Sequence, residues 1–549
     1  MSAHEMHRPD ASTPSPAAAN SSAGESRVPT SAVRLRDQVT DARAALAEAW
    51  HHPYVRQGFI AMVLIALGGF APAFVPADSP FYDTAYTGWM LGEPARFAAS
   101  AIVLVGLLRL FDAWLRLRPS QGVPSAPVAT WAWWSLPVLA VPPLFSRDAY
   151  SYAAQGLVVG RGMDPYQTGP IAVPGPFADH VDPLWLFTAA PYGPLALQVQ
   201  RVVVDLTGGD ALIAAIAMRL PALVAVAVIA YALPRLAIRM GVSRDQAVWL
   251  GVINPLVIMH LVAGMHNDAM MIALVVVGLL LASDGRWVMA SVAIAAGAGF
   301  KQTAVIALVG VAGLAYRHAR GERGEGPLLS RVDQWAYVKQ AVKVGAVAFV
   351  AFAGWTALTG LGWGWLSNLG VPGSVLSLLS PVSMAGAAVA ASLSFIGVPE
   401  EWTVGAVPTF QAAGLVAILV ALAWITWRLG PRRPVAAAAW ALIVFTVGGP
   451  TVYPWYVLWG VVLLGATWTD RRVIAVLVWV TGWLVAYSML DVAVVNGASV
   501  LGIAAVAWGA WTLLRRRPDR GPELCTLPAG DGVAVPPTRG GVSATIARL

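Results

Sequence analysis

Uncharged apolar runs recur from one end of this sequence to the other, many approaching the roughly 20 residues that cross a hydrocarbon core. Lipid offers no hydrogen bonds to an exposed backbone, so runs of this length are expected to fold as helices. Composition agrees: 57% of the 549 residues are hydrophobic and 12% charged, with a mean hydropathy of +0.65. That is too little charge to cover a soluble surface. The single cysteine, Cys525, rules out a disulfide framework and a Cys-based metal site. The net charge of +7 does not signal nucleic acid, because the positive residues sit at the ends of the apolar runs.

Residues 1–30, rich in Ala, Ser and Pro, read as disordered. Residues 35–56 read as one amphipathic helix, either on the inner membrane surface or packed on a cytoplasmic loop. The first apolar run begins near Phe59, after a polar leader too long for a signal peptide, and is expected to be an uncleaved anchor. Spans are expected near 57–75, 96–115, 128–145, 211–233, 246–262, 269–283, 287–299, 302–316, 341–359, 406–427, 435–449, 454–469, 473–490 and 497–514. The pair meeting at Lys301 is two half-spans or one broken helix, so the bundle has about 13–14 transmembrane helices. The domain plan is a cytoplasmic leader (1–56), a membrane domain (57–515) and a disordered cytoplasmic tail (516–549).

Arginines set the orientation. With the N-terminus inside, inner connectors hold Arg116, Arg118, Arg235, Arg239, Arg244, Arg286, Arg317, Arg320, Arg323, Arg428, Arg432, Arg433, Arg471, Arg472 and Arg515–Arg517, whereas outer connectors are acidic. Both termini then face the cytoplasm of a multi-pass plasma-membrane protein. Two outer connectors are long, 146–210 and 360–405. The first, dense in Tyr, Pro, Asp and Trp, is expected to be folded. The second either dips into the interface or anchors there through Trp363 and Trp365.

This topology gathers four polar strings at one depth on the outer side: Ser146-Arg147-Asp148, His266-Asn267-Asp268, Lys301, and Tyr453-Pro454-Trp455-Tyr456. Asp148 precedes a helix expected over Ala149–Gly160, with Tyr150, Ala154 and Leu157 on one stripe. It either caps that helix or, ionised beside Arg147, accepts a proton from a sugar hydroxyl. His266, Asn267 and Asp268 cap the next helix or bind sugar hydroxyls or a phosphate oxygen. A His-x-Asp pair is too few ligands to argue for a metal. Lys301, one of three lysines, interrupts an apolar stretch and either snorkels to the interface or faces a lipid phosphate. Arg219 invites the same reading. Tyr453, Trp455, Tyr456 and Trp459 read as an aromatic belt, with a sugar platform as the alternative, and His180 as a solvated loop residue.

The strings Ser146-Arg147-Asp148-Ala149-Tyr150-Ser151-Tyr152-Ala153-Ala154-Gln155-Gly156, Gly162-Met163-Asp164-Pro165-Tyr166 and Ala190-Pro191-Tyr192-Gly193-Pro194-Leu195 resemble the actinobacterial polyprenol-phosphomannose-dependent α-1,6-mannosyltransferases. Asn254-Pro255-Leu256, His266-Asn267-Asp268-Ala269, Lys301 and Tyr453-Pro454-Trp455-Tyr456 extend the resemblance over about 57–515. The resemblance implies the C-type glycosyltransferase superfamily: an all-α polytopic bundle with a folded first extracytoplasmic catalytic loop, no nucleotide fold, and a lipid-linked sugar donor. It implies Asp148 as catalytic base, with Asp164, Tyr166 and Tyr192 in strings that shape the loop around donor and acceptor; the reading of the residues themselves adds Lys301, Arg147 and Arg219 toward the donor phosphate and Tyr150, His266, Asn267, Asp268, Tyr453 and Trp455 around the substrates. No cofactor is expected, and a metal requirement is unreadable. The implied partners are polyprenyl-phosphate mannose, a mannosylated glycolipid acceptor and the bilayer, with inverting transfer to the α-1,6-mannan core of lipomannan and lipoarabinomannan. The sequence departs from the pattern at Trp185-Leu186, where a basic residue is expected before Pro-Tyr-Gly-Pro; this shifts the expected phosphate contact to Arg147, Arg201 or Lys301. The rival readings are another lipid-linked glycan transferase or ligase and a polytopic transporter. Against a transporter stand the clustering of polar strings at one face and the absence of a visible repeat.

Overall fold

The computed structural model describes residues 31–70, 75, 79–119 and 127–492, and among these every regular element is helical. The expected span 497–514 and the expected disordered ends lie outside the described residues. The first of two units runs to Ala45 and is represented by most of helix α1 (Ser31–His51); the second begins at Leu46 and carries everything below. The expected continuous helix over 35–56 is instead two. At residue 52 the His52 ring accepts from the Tyr54 amide at 3.3 Å, and Pro53 at the first turn starts α2 (Pro53–Gly68).

Helix α2 crosses α3 (Glu93–Arg116) closely: a Cβ on Gly106 would stand 2.8 Å from the Ala61 carbonyl oxygen. Among the described residues five helices are long and apolar enough to cross a membrane: Pro94–Arg116, Ala211–Arg239, Gln334–Thr359, Glu400–Arg428 and Arg471–Ser488. A sixth is a pair, Val257–Ala263 and Asp268–Ser283, bent by 114°. Five further apolar helices are shorter, among them Trp287–Phe300, Pro381–Phe395 and Pro434–Gly448.

Several of the expected 13–14 spans are thus shorter or broken pieces among the described residues. Apolarity persists through segments that proline and turn residues break into pieces too short to span. The run 128–145 yields only α4 (Thr130–Ser135) and a 3₁₀ turn at Leu136–Val138 before Pro142-Pro143. The run 246–262 breaks at Asn254-Pro255, where the Asn254 side-chain oxygen accepts from the Leu256 amide at 2.9 Å, and restarts as a π-helical turn at Val257–Ala263. Conversely, the connector 360–405 contains an apolar helix, Pro381–Phe395, which packs on the helix after it.

The loop 146–210 is folded. It holds α5 (Asp148–Gly160) and α6 (Pro194–Leu206), and Ala149, Tyr150, Ala153, Ala154 and Val158 of α5 share a small core with Phe177, Val181 and Val203. The two helices touch at Gly156, where a Cβ would stand 2.6 Å from the Gln200 carbonyl oxygen.

Candidate active site

Two short loops carry the Asp148 and Asp268 strings, and both enter them through a residue in the left-handed region: Phe145 at φ 62° and Met265 at φ 55°. Neither residue favours this conformation, which costs about 1–2 kcal/mol each. Main-chain bonding holds the loops there. The Leu144 amide donates to the Ala263 carbonyl at 3.1 Å. Between the loops lies the buried guanidinium of Arg219, donating to the carbonyls of Leu139 (2.8 Å), Val141 (2.8 Å), Pro142 (3.3 Å), Val262 (3.3 Å) and Ala263 (3.3 Å). Its fork geometry suits this convergence of acceptors. Arg219 does not line the cavity described next, so the donor-phosphate role expected of it gives way to one of joining the two loops.

The strings open on a cavity of about 420 Å³, within the roughly 300–1,000 Å³ usual for a small-molecule site. Asp148, Tyr192, Asp268, Lys301, Tyr453 and Trp455 line it, so six of the expected residues converge. Asp148 is the first helical residue of α5. The cap position falls on Arg147, which makes no side-chain cap bond, and the Ser146 hydroxyl accepts from the Asp148 amide instead, at 3.1 Å. The carboxylate is thereby left to the cavity, where the Tyr152 hydroxyl donates to it at 3.3 Å. Burial pushes the Asp148 carboxyl up to about 6, helped by the Asp268 charge and opposed by the Ser146 hydrogen bond and the Lys301 charge.

Lys301 occupies the break between Trp287–Phe300 and the 3₁₀ turn Gln302–Ala307. Its ammonium pairs with Asp268 at 2.9 Å and lies 4.0 Å from the Tyr456 ring centroid and 4.8 Å from that of Trp459. The Trp459 indole also donates to Asp268. The ammonium is therefore aimed rather than snorkelling. Pro-Tyr-Gly-Pro fixes the break: the Gln302 amide group donates to the Pro191 carbonyl at 3.2 Å, and a Cβ on Gly193 would stand 2.4 Å from the Gly299 carbonyl oxygen. Only glycine allows that approach.

Tyr453, Trp455, Tyr456 and Trp459 line the cavity rather than forming a belt, with Tyr453 and Trp455 stacked at 4.7 Å and Tyr456 and Trp459 at 4.5 Å. Val305, Ile306, Leu415, Ile418 and Phe445 add apolar lining to the same cavity. Among the described residues no group of three or more His, Cys, Asp or Glu converges as metal ligands do.

The chain is similar to known proteins over most of its length. A family model described as "Alpha-(1->6)-mannopyranosyltransferase, N-terminal domain" matches residues 55–317, and one described as "MptB C-terminal domain" matches residues 382–516. Alpha-(1->6)-mannopyranosyltransferase B of Corynebacterium glutamicum is 30% identical over 81% of this chain and 78% of its own length. The chain belongs to the alpha-(1->6)-mannopyranosyltransferase family. Alpha-(1->6)-mannopyranosyltransferase A of Mycobacterium tuberculosis is 29% identical over 85% of this chain and 90% of its own length. The protein is thus a multi-pass membrane glycosyltransferase that transfers mannose. That assignment displaces the transporter reading.

The other expected site residues of the mannosyltransferase stand behind the cavity or apart from it. Tyr150 is buried in the core of the first loop and packs on His180 at 5.6 Å; His180 is itself buried, not solvated. Asp164 accepts from the Tyr166 amide at 2.9 Å and so closes a turn. Tyr166 is buried beneath Gly364, and its carbonyl accepts from Asn368 at 3.1 Å, which ties the second long loop to the first. Arg147 is absent from the lining. Arg201 pairs with Asp205 at 3.5 Å on the exposed side of α6. His266 lies behind Trp455, with ring centroids 3.6 Å apart, and its Nδ1 donates to the Gly264 carbonyl at 3.0 Å. Asn267 is buried beside it and makes no cap bond. The lining also includes residues to which the sequence assigns no site role: Ser151, Tyr152, Gln155, Trp185, Thr188, Gln302, Thr303 and Asn368. Those on α5 had a signal in their spacing from Asp148; Asn368 had none, since its partners Tyr166 and Ala190 lie far off in the sequence.

Proposed function

We propose that the mannosyltransferase carries mannose, with inversion, from polyprenyl-phosphate mannose to an α-1,6-mannan acceptor of lipomannan and lipoarabinomannan biosynthesis, on the outer face of the plasma membrane. One observation carries this reading: a carboxylate, Asp148, and an ammonium, Lys301, share a cavity with apolar side chains, among them Val305, Ile306, Leu415, Ile418 and Phe445. The apolar lining suits a prenyl chain, the ammonium its phosphate, and the carboxylate an incoming hydroxyl. The excess of Lys and Arg in alternate connectors supports the outward placement.

Inversion at the anomeric carbon takes one displacement through an oxocarbenium-like transition state. Asp148 takes the proton of the acceptor 6-hydroxyl as its oxygen bonds to the anomeric carbon, while the bond to the phosphate oxygen breaks. Polyprenyl phosphate leaves as an anion, which Lys301 stabilises in place of a general acid. Asp268 and Trp459 hold Lys301 in position.

Two outcomes follow. Because the base must be ionised and its carboxyl sits at about 6, kcat/KM is expected to fall tenfold per pH unit below that value and to level off above it. An acid limb near pH 4, the range of an unburied carboxyl, contradicts this role. Lys301→Ala is expected to lower kcat/KM for the donor by about 10²-fold or more, and Lys301→Arg to recover part of it; an alanine variant of wild-type activity removes Lys301 from the phosphate. The proposal as a whole is tested by incubating membranes containing the protein with labelled polyprenyl-phosphate mannose. Label is expected in α-1,6-linked glycolipid, and label that stays on the donor overturns it.

A further inference from the structure

The mechanism uses one end of α5 and leaves its cavity face unexplained. Asp148, Ser151, Tyr152 and Gln155 all line the cavity, and their spacing of three, four and seven residues places them on a single stripe. Ser151 is 4% exposed and Gln155 5% exposed. The Ser151 hydroxyl and the Gln155 side-chain carbonyl are buried without a hydrogen-bond partner in the chain. Buried polar atoms are normally paired, and a protein that leaves two unpaired on one face loses stability by it unless something else supplies the bonds. Tyr152, between them, is engaged with Asp148.

Resting on the proposed transfer chemistry, we infer that this stripe is a subsite for a second hexose of the acceptor, next to the sugar whose hydroxyl meets Asp148. Seven residues of helix carry the stripe about 10 Å from Asp148, farther than a single pyranose ring extends. Trp185 and Thr188 line the cavity together with Gln155. A half-buried indole gives a pyranose an apolar platform, while Gln155 accepts from a ring hydroxyl and Ser151 exchanges hydrogen bonds with another. Such a site rejects an acceptor lacking those hydroxyls, because its own buried groups then stay unpaired. The face of α5 thus reads two successive sugars of a glycan. Gly156 keeps the helix seated against α6, so the stripe holds its depth.

The test compares synthetic alkyl glycosides carrying one mannose with those carrying two α-1,6-linked mannoses. With full-length protein in detergent, kcat/KM is expected to be at least tenfold higher for the two-sugar acceptor, and Gln155→Ala and Ser151→Ala are each expected to shrink that ratio severalfold. Calorimetry with the two-sugar glycoside, without donor, is expected to show binding that Gln155→Ala weakens. Equal kcat/KM for the two acceptors, or a ratio unchanged in both variants, overturns the subsite. Transfer to neither acceptor, with binding and its loss in Gln155→Ala intact, counts against the proposed reaction but supports the subsite; absent binding overturns the subsite whatever the transfer result.

Discussion

Asp148→Asn is expected to lower mannosyl transfer by about 10²–10⁴-fold, the range that general-base catalysis contributes, with the protein still folded. Asparagine keeps the size of the side chain and can still accept from Tyr152, yet it cannot take a proton. The folded carboxyl at about 6 lies above its ordinary value of 3.8. An ionising group raised in this way gives stability that is present at low pH and lost as pH rises through about 6, so at pH 7 the buried charge works against the fold. Removing it is expected to leave Tm at pH 7 equal to or above that of the wild type. Transfer kinetics and thermal unfolding in detergent check both halves. Near-normal transfer by this variant takes the base role away from Asp148.

The second large effect is expected at a residue that touches no substrate. Arg219→Ala removes a donor from five carbonyls, of which Ala263 keeps the Leu144 amide, and the loops that lead into Phe145 and Met265 lose the side chain that bridges them. Each unpaired buried carbonyl costs about 1–3 kcal/mol before relaxation, so a loss of at least about 3 kcal/mol is expected. It should appear as a marked drop in Tm with parallel loss of activity. Arg219→Lys is expected to recover a minor part, because a single ammonium cannot fork to both loops. A role at the donor phosphate predicts the opposite pattern: Tm unchanged and donor KM raised. That result removes the loop-joining role.

These two residues show how far the sequence carried. Asp148 stood out because a carboxylate sat between an apolar run and an amphipathic stretch, and the structure brings it to the cavity. Arg219 stood out for the same kind of reason, a charge in an apolar run, yet it meets carbonyls. A buried cation needs polar partners, and the linear sequence does not say whether those are a ligand's oxygens or the backbone's. The aromatic string at 453–459 differs in the opposite direction: it reads as a belt and lines the cavity. Trp and Tyr near a span end suit a lipid interface and a cavity equally well, and only packing against His266 and Lys301 separates the two.

The length of individual helices was hidden for a similar reason. Apolarity reports exclusion from water, not helix length, and the runs around Pro142-Pro143, Asn254-Pro255 and Lys301 form short broken pieces. By itself, the sequence determined that the chain is helical, that it is membrane-embedded, that the loop 146–210 is folded, and which strings merit attention, because these follow from local polarity, periodicity and the residue types within short windows. The tertiary structure alone decided which strings share a cavity, that Asp268 and Trp459 aim Lys301, and that Arg219 joins two loops. Those are long-range pairings, set by how helices cross and where their breaks meet, and no local window contains both partners.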